Sequence, residues 1–376
     1  MESSTAFIGV KKDQTDKALT DPKEGRWKLV RVVAASILGV FVLVSAVLLI
    51  VRSSSQSDLT SQSETMPTTS SDTPRETAYA SSGLQTNTAN SLIDLNKVLG
   101  GGPGKDGIPA IDEPNFTSIA NVSSNITDNT AGMLLEHNGK ARFYPFNILV
   151  WHEIVNDTID DLNVAVTFCP LCASAIAFNR ELDGKVVRFG VSGLLYETNL
   201  LMFDDINESL WSQIEGRAVV GDFAGKQLER VNVDQLTFKD IKASYPDAEI
   251  LSDDTGYSRD YSYYPYGEYN SNDEEFYFPV TYKDRRLPLK ELVYATSYSD
   301  VSIAFVMSKL KAEGNAEVEL ENGDKVTATV DGVKIILKDP DGIELPGYVT
   351  QWFSFANHNL ARGVNPEIKA EVWGIE

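Results

Sequence analysis

The chain has 376 residues, 42% of them hydrophobic, with 33 basic against 54 acidic side chains and a formal net charge of -21. An acidic excess of that size repels nucleic acid, whose binders need a basic face, so a nucleic-acid partner is excluded and the charge reads as a solubility feature. The acidity is uneven: the first 31 residues hold seven Lys/Arg and five Asp/Glu, leaving them at +2.

Val32 to Val51 is a run of twenty residues without charge. At about 1.5 Å rise per residue it makes a helix of about 30 Å, the thickness of a bilayer core. Lys23, Arg26, Lys28 and Arg31 crowd its N-terminal side, and the segment after Arg52 is Ser/Thr-rich with few charges. The positive-inside rule then expects residues 1–31 in the cytoplasm, 32–51 across the membrane, and the rest outside. A cleaved signal peptide is the competing reading, but the apolar run is too long for one and no A-x-A-like site follows. Residues 52–91 are Ser/Thr/Gln-rich with almost no large aliphatic side chains, so a flexible stalk is expected there.

From Leu92 onward the pattern favours strands. Lys140–Phe146, Val164–Cys169, Ala175–Arg180, Lys185–Gly190, Arg217–Val220, Val301–Met307, Lys325–Val330 and Val333–Lys338 are short runs rich in β-branched and aromatic residues. Asp183-Gly184 and Asp331-Gly332 read as two-residue hairpin turns. Helices are few: Asn147–Val155 has helical spacing, and Asp234–Tyr245 reads as a helix capped by Asp234 and stopped by Pro246. The expectation is an α+β, β-dominated extracytoplasmic body over 92–376 behind a single transmembrane helix.

The only two cysteines form Cys169-Pro170-Leu171-Cys172. This spacing lets both sulfurs face one point, where they can chelate a metal or close a small disulfide. The flanking VAVTFC and ASAIAFNR both read as strands, which makes the pair a turn between strands and not the helix N-terminus of a thioredoxin-type motif. One such knuckle cannot build a four-sulfur site, so a metal must recruit other ligands.

Among His137, His152 and His358, His152 lies in Trp151-His152-Glu153, before Cys169, and is the candidate third ligand. Two thiolates and one imidazole with an open position resemble catalytic zinc, and Met202 as a soft donor would favour copper. His152 packing inside its helix is the alternative. Glu153 is the candidate catalytic residue, as a base or as a group orienting a ligand. Outside the cytoplasm the pair can also serve as a redox dithiol or persist as a disulfide.

Three further features bear on a site. Phe189-Gly190-Val191-Ser192-Gly193 invites a nucleophile reading of Ser192, but it is not the G-x-S-x-G elbow, and a tight turn is favoured. Tyr196, Trp211 and Gln213 are candidate pocket residues, with core packing the alternative for Trp211. Gly256 to Tyr282 holds eight tyrosines, which suit either a contact surface or a loop whose rings pack back on the body, the favoured reading. Asn115, Asn121, Asn125, Asn156 and Asn207 each begin an N-x-[ST] sequon.

Tyr144 to Asp157 (YPFNILVWHEIVND) followed by Thr167-Phe168-Cys169-Pro170-Leu171-Cys172 resembles the prokaryotic domain-of-unknown-function family numbered 3179. Phe189 to Tyr196, Asn199 to Asp204, Ser209 to Gln213, Gly101-Gly102-Pro103, Asp106 to Asp112 and Arg259-Asp260-Tyr261 continue the likeness over roughly residues 93 to 360. The resemblance implies that the His152-Glu153 and CPLC elements belong to one module. It implies no activity. The family often carries Gly or Asn where this chain has Ala173, and its FWFAWxxFxP stretch is replaced by Trp352 to Asn359, so no role passes to His358.

Three functions stay open. One is a metal-dependent enzyme or metal-handling protein with zinc or copper held by Cys169, Cys172 and His152. Another is a cell-surface binding module using the tyrosine-rich segment, and the third is a thiol–disulfide redox protein. The expected partners are the membrane, through one helix, and a small molecule or envelope component.

Overall fold

The strand patterns are the strongest signal in the chain, and strands dominate the structure. The computed structural model describes residues 78–360 and 369–375. The expected cytoplasmic tail, membrane span and first part of the stalk lie outside the described residues. Among the described residues no helix is long and apolar enough to cross a membrane.

In chain order the elements that position the site begin with β1 (Ala131–His137) and β2 (Lys140–Pro145), followed by the one-turn helix α1 (Phe146–Leu149). Next come β3 (Ile154–Ile159), β4 (Leu162–Cys169) and β5 (Ser174–Asn179). A meander follows, of β6 (Phe189–Tyr196), β7 (Asn199–Asp204), β8 (Leu210–Ser212) and β9 (Arg217–Val220). After α2 (Phe238–Ser244) the chain returns as β10 (Leu292–Tyr298), β11 (Val301–Val306), β12 (Tyr348–Gln351) and β13 (Lys369–Trp373).

The central sheet runs β13-β11-β10-β12-β5-β4-β3, antiparallel except where β13 lies parallel to β11. Its middle strands are buried on both faces, as continuous apolar runs require. Side chains alternate between two cores: Ile176 and Phe178 face one, Ala175 and Ala177 the other. The first core lies against the β6–β9 sheet and contains Cys169, Cys172, Met202, Trp211 and Trp352. The second lies against β1, β2 and α1. A separate four-stranded sheet starting at Asn315–Glu319 packs on β10 and β11.

Several expectations shift. The Asn147–Val155 helix is one turn only. Glu153 adopts a left-handed backbone (φ 59°), which ends the helix, and Ile154 enters β3 opposite Thr167. Asp234 does not cap a helix: Asp234–Thr237 is a strand, and Thr237 caps α2 in a reciprocal pair with Asp240. The Asp183-Gly184 turn forms with both residues at positive φ (52° and 73°). The second hairpin slips by one: Asp331 pairs with Lys334, so Gly332 and Val333 make the turn.

The stalk is also shorter than expected. Leu84 is buried with Ile93 and Leu194, and Tyr79 donates its hydroxyl to the carbonyls of Leu84 (3.1 Å) and Thr86 (2.9 Å). The packed body therefore starts no later than Ala78. The Asn156 amide is buried and bonded to Asp112 and the Phe189 carbonyl at 2.8 Å each, which closes that sequon in the folded chain.

Candidate active site

Cys169 ends β4 and pairs with Ser174 at the start of β5, so Pro170 to Ala173 form the turn between them. The turn is tight: the Cys172 N–H reaches the Cys169 carbonyl at 3.4 Å. Ala173 has φ 47°, a backbone that costs a residue with a Cβ and suits Gly or Asn. The Cys172 carbonyl is held from β12 by the Gln351 N–H (2.9 Å) and the Thr350 hydroxyl (3.4 Å). Both thiols are free and buried.

The two sulfurs have different surroundings. Cys172 Sγ lies 3.1 Å from Ser174 Oγ and 3.2 Å from Asn199 Nδ2. The Asn199 amide is oriented from behind, because its Oδ1 accepts the Ile214 N–H at 3.0 Å. Gln213 Oε1 accepts from Asn199 (2.8 Å) and from the Ser174 hydroxyl (2.6 Å), while Gln213 Nε2 donates to Thr167 Oγ1 (3.0 Å). Ser174 has one proton to give. With Cys172 as a thiol it donates to Gln213; with Cys172 as a thiolate it can turn and donate to sulfur. Cys169 Sγ has a carbonyl for company, Thr198 O at 3.9 Å.

Electrostatics follow the donors. Burial alone would raise both thiols. At Cys172 the hydrogen bonds from Cys169, Ser174 and Asn199 outweigh it and bring the thiol to about 6. At Cys169 burial dominates, and the charges of Cys172 and Glu153 push it further up. The two thiols are thus pushed apart, Cys172 toward the thiolate and Cys169 toward the thiol.

Glu153 faces the same space. Its carboxyl is raised to about 8, first by burial and then by the charge on Cys172. The opposite wall is built by the tyrosine-rich segment. Tyr269 donates its hydroxyl to the Leu171 carbonyl at 3.0 Å. Burial, and then the nearby cysteine charges, raise the Tyr264 and Tyr269 phenols, and Tyr266 feels Glu153 as well. Tyr261 and Tyr269 are buried, whereas Tyr257, Tyr263, Tyr277 and Tyr282 are exposed, so the segment divides between packing and surface. The β6–β7 turn closes the site over Cys169, with Glu197 (φ 49°) and Thr198 (φ 64°) both left-handed.

His152 does not join the cysteines. Its Nδ1 pairs with the Pro109 carbonyl (2.8 Å) and its Nε2 with the Tyr261 hydroxyl (2.7 Å), and burial lowers its pKa. Both ring nitrogens are therefore taken by protein groups, although nearness in sequence to Cys169 made it the expected third ligand. Met202 is fully buried in β7 within the first core. Among the described residues no group of three or more His, Cys, Asp or Glu is arranged to hold a metal ion.

Of the expected pocket residues, Gln213 lies in the site and the others lie beside it. Ser192 sits in the β6 bulge, where its hydroxyl donates to the Leu201 carbonyl and accepts the Leu194 N–H at 2.9 Å. Trp211 donates to Asp204 at 2.8 Å and stacks edge-on against Phe189, as a core residue. Tyr196 is buried beside His358, whose Nδ1 pairs with Glu215 at 2.9 Å. Thr167, Ser174 and Asn199 were not singled out. The signal for Ser174 was its place two residues after Cys172, on a strand that alternates; Asn199 comes from the neighbouring sheet and carries no local signal.

A family model described as a protein of unknown function (DUF3179) matches residues 105–344. That span includes every residue of the cysteine site apart from Thr350 and Gln351. No curated protein and no solved structure matches the chain.

Proposed function

The chain belongs to the DUF3179 family, and from that premise we propose that its Cys169–Cys172 pair is a thiol–disulfide redox centre. Cys172 is the attacking thiolate and Cys169 the resolving thiol. One observation carries this reading: the Asn199 amide donates to Cys172 Sγ at 3.2 Å, the Ser174 hydroxyl lies 3.1 Å from the same sulfur and can turn to donate to a thiolate, and neither side chain reaches Cys169. A thiolate held by oriented donors is the nucleophile of disulfide exchange, and a neighbouring thiol with a raised pKa is suited to attack only after a mixed disulfide has formed. The Val32–Val51 run with its basic N-terminal flank supports placing this centre outside the cytoplasm on a membrane tether, where disulfide chemistry is permitted.

The test is equilibration of the full chain in glutathione redox buffers, with the free thiols counted by mass after alkylation. A catalytic pair is expected to titrate as one two-electron couple between about -270 and -120 mV. A potential below about -300 mV would make the pair a structural staple, and thiols that never oxidise would overturn the reading.

A further inference from the structure

Resting on that redox reading, we propose that the Glu153 carboxyl is the proton reservoir of the cysteine pair. It gives a proton to the first thiolate expelled from a disulfide substrate, then takes one from Cys169.

The geometry singles this carboxyl out. Six acidic residues are buried among the described residues: Glu153, Asp157, Glu197, Asp204, Asp234 and Asp284. Five of them have donors. Asp157 receives Arg142 Nη1 at 2.8 Å, Glu197 the Thr281 N–H at 2.7 Å, and Asp204 the Trp211 indole at 2.8 Å. Asp234 receives the Ile335 N–H at 3.4 Å, and Asp284 the Arg286 N–H at 3.0 Å. The Glu153 carboxyl has no hydrogen-bond partner among the described residues. The residue is 7% exposed, so its carboxyl is largely withdrawn from water and unsupported by protein donors, which disfavours the charged form.

The backbone holds that carboxyl in place. Glu153 is left-handed at φ 59°, its N–H reaches the Leu149 carbonyl at 2.6 Å, and its own carbonyl accepts the Phe168 N–H at 2.8 Å. Phe168 is the residue before Cys169, so Glu153 is tied to the end of the strand that carries the resolving thiol. A left-handed backbone and an acid without protein donors meet at one residue, a combination that a purely structural position has no need of.

The chemistry balances. Cys172 thiolate attacks a disulfide R–S–S–R′, forming Cys172–S–S–R, and the carboxylic acid of Glu153 protonates the departing R′S⁻. The negative charge on Cys172 is now gone, so the new Glu153 carboxylate is no longer opposed by it. It takes the proton from the Cys169 thiol. Cys169 thiolate attacks Cys172 Sγ, the protein disulfide closes, and RS⁻ leaves with the proton returned by Glu153. Two electrons pass from the dithiol to the substrate disulfide.

Two small disulfides separate the acid from the base role. Dithiodipyridine expels a thiolate whose charge is delocalised onto the ring nitrogen, so it leaves without a proton at sulfur, whereas 2-hydroxyethyl disulfide expels a basic thiolate. With the full chain, Glu153→Gln is expected to leave the first release from dithiodipyridine unchanged and to slow ring closure about a hundredfold, with a rate that climbs steadily with pH. The first release from 2-hydroxyethyl disulfide is expected to slow as well. Wild-type protein that releases thiol from neither probe overturns the redox reading itself. Wild-type protein that turns over, alongside a Glu153→Gln variant with the same rates and pH profile, overturns only the assignment of Glu153. Should that variant not fold, infrared difference spectra of the wild-type chain between dithiol and disulfide states carry the test. A carboxylic acid band that changes with redox state is expected, and an unchanged carboxyl region would overturn the proposal.

Discussion

Asn199 reaches across from β7 to place its amide nitrogen 3.2 Å from Cys172 Sγ, while the Ile214 N–H holds its oxygen at 3.0 Å. The sulfur therefore meets a donor whose orientation is set from a second sheet. Removing that donor in Asn199→Ala is expected to raise the Cys172 pKa by about one unit, since a hydrogen bond to a charged group contributes about 1.5–3 kcal/mol and 1.36 kcal/mol is one unit. The alkylation rate of the full chain against pH measures it. A midpoint unchanged from that of the wild-type chain would mean that Asn199 does not hold the thiolate.

Ala173 pays for its left-handed backbone with a Cβ that glycine lacks. Ala173→Gly is expected to stabilise the chain by about 0.5–1 kcal/mol, the strain relieved being partly offset by the greater freedom of glycine in the unfolded state. Urea midpoints for the two proteins decide it, and a destabilised glycine variant would show the turn unstrained.

Burial of Glu153 should be visible in stability against pH. The folded carboxyl is raised to about 8 from 4.5, so between those values the unfolded chain gives up a proton that the folded chain keeps. Stability from this group falls as pH rises through that window and is level above it. Glu153→Gln removes the penalty. Its advantage over wild type should grow from pH 5 to pH 8 and reach at most about 3 kcal/mol at pH 7. Cys172 acts oppositely, its lowered pKa adding stability from about 6 upward. Comparison of the reduced proteins at several pH values checks the slope; parallel curves would place the carboxyl in water.

Gly193 makes the close approach beneath the β6 bulge. It has φ 73°, and a Cβ there would lie 2.2 Å from the Pro103 carbonyl oxygen. Gly193→Ala is expected to cost about 2 kcal/mol or more, because both the backbone angle and the contact must be relieved. An unchanged thermal midpoint would show that the 101–104 segment moves freely.

Local signals in the sequence carried much of the architecture. Arg217–Val220 was legible to the residue, and the turn at Cys169–Cys172 followed from the apolar runs on either side. The Asn147–Val155 stretch misled because Ile148, Leu149, Ile154 and Val155 suit a helix face as well as a turn running into a strand, and nothing local announces the left-handed Glu153. The start of α2 was readable: Thr237 and Asp240 have the spacing of a capping pair, and the apolar residues before them belong to a strand. His152 misled in another way, since nearness in sequence to the cysteines did not become nearness of its ring nitrogens. Asn199 was illegible because register between two sheets, and not spacing along one strand, brings it to Cys172.

The hydrogen bond from Thr350 to the Cys172 carbonyl spans 178 residues of chain. During synthesis at about 5–20 residues per second, Cys172 is made about 10 to 35 seconds before the strand that closes over it. Throughout that interval the cysteine turn lacks the strand that holds the Cys172 carbonyl. The oxidation state of the thiols on first reaching the folded form is then set by the surroundings in which the unfinished chain waits.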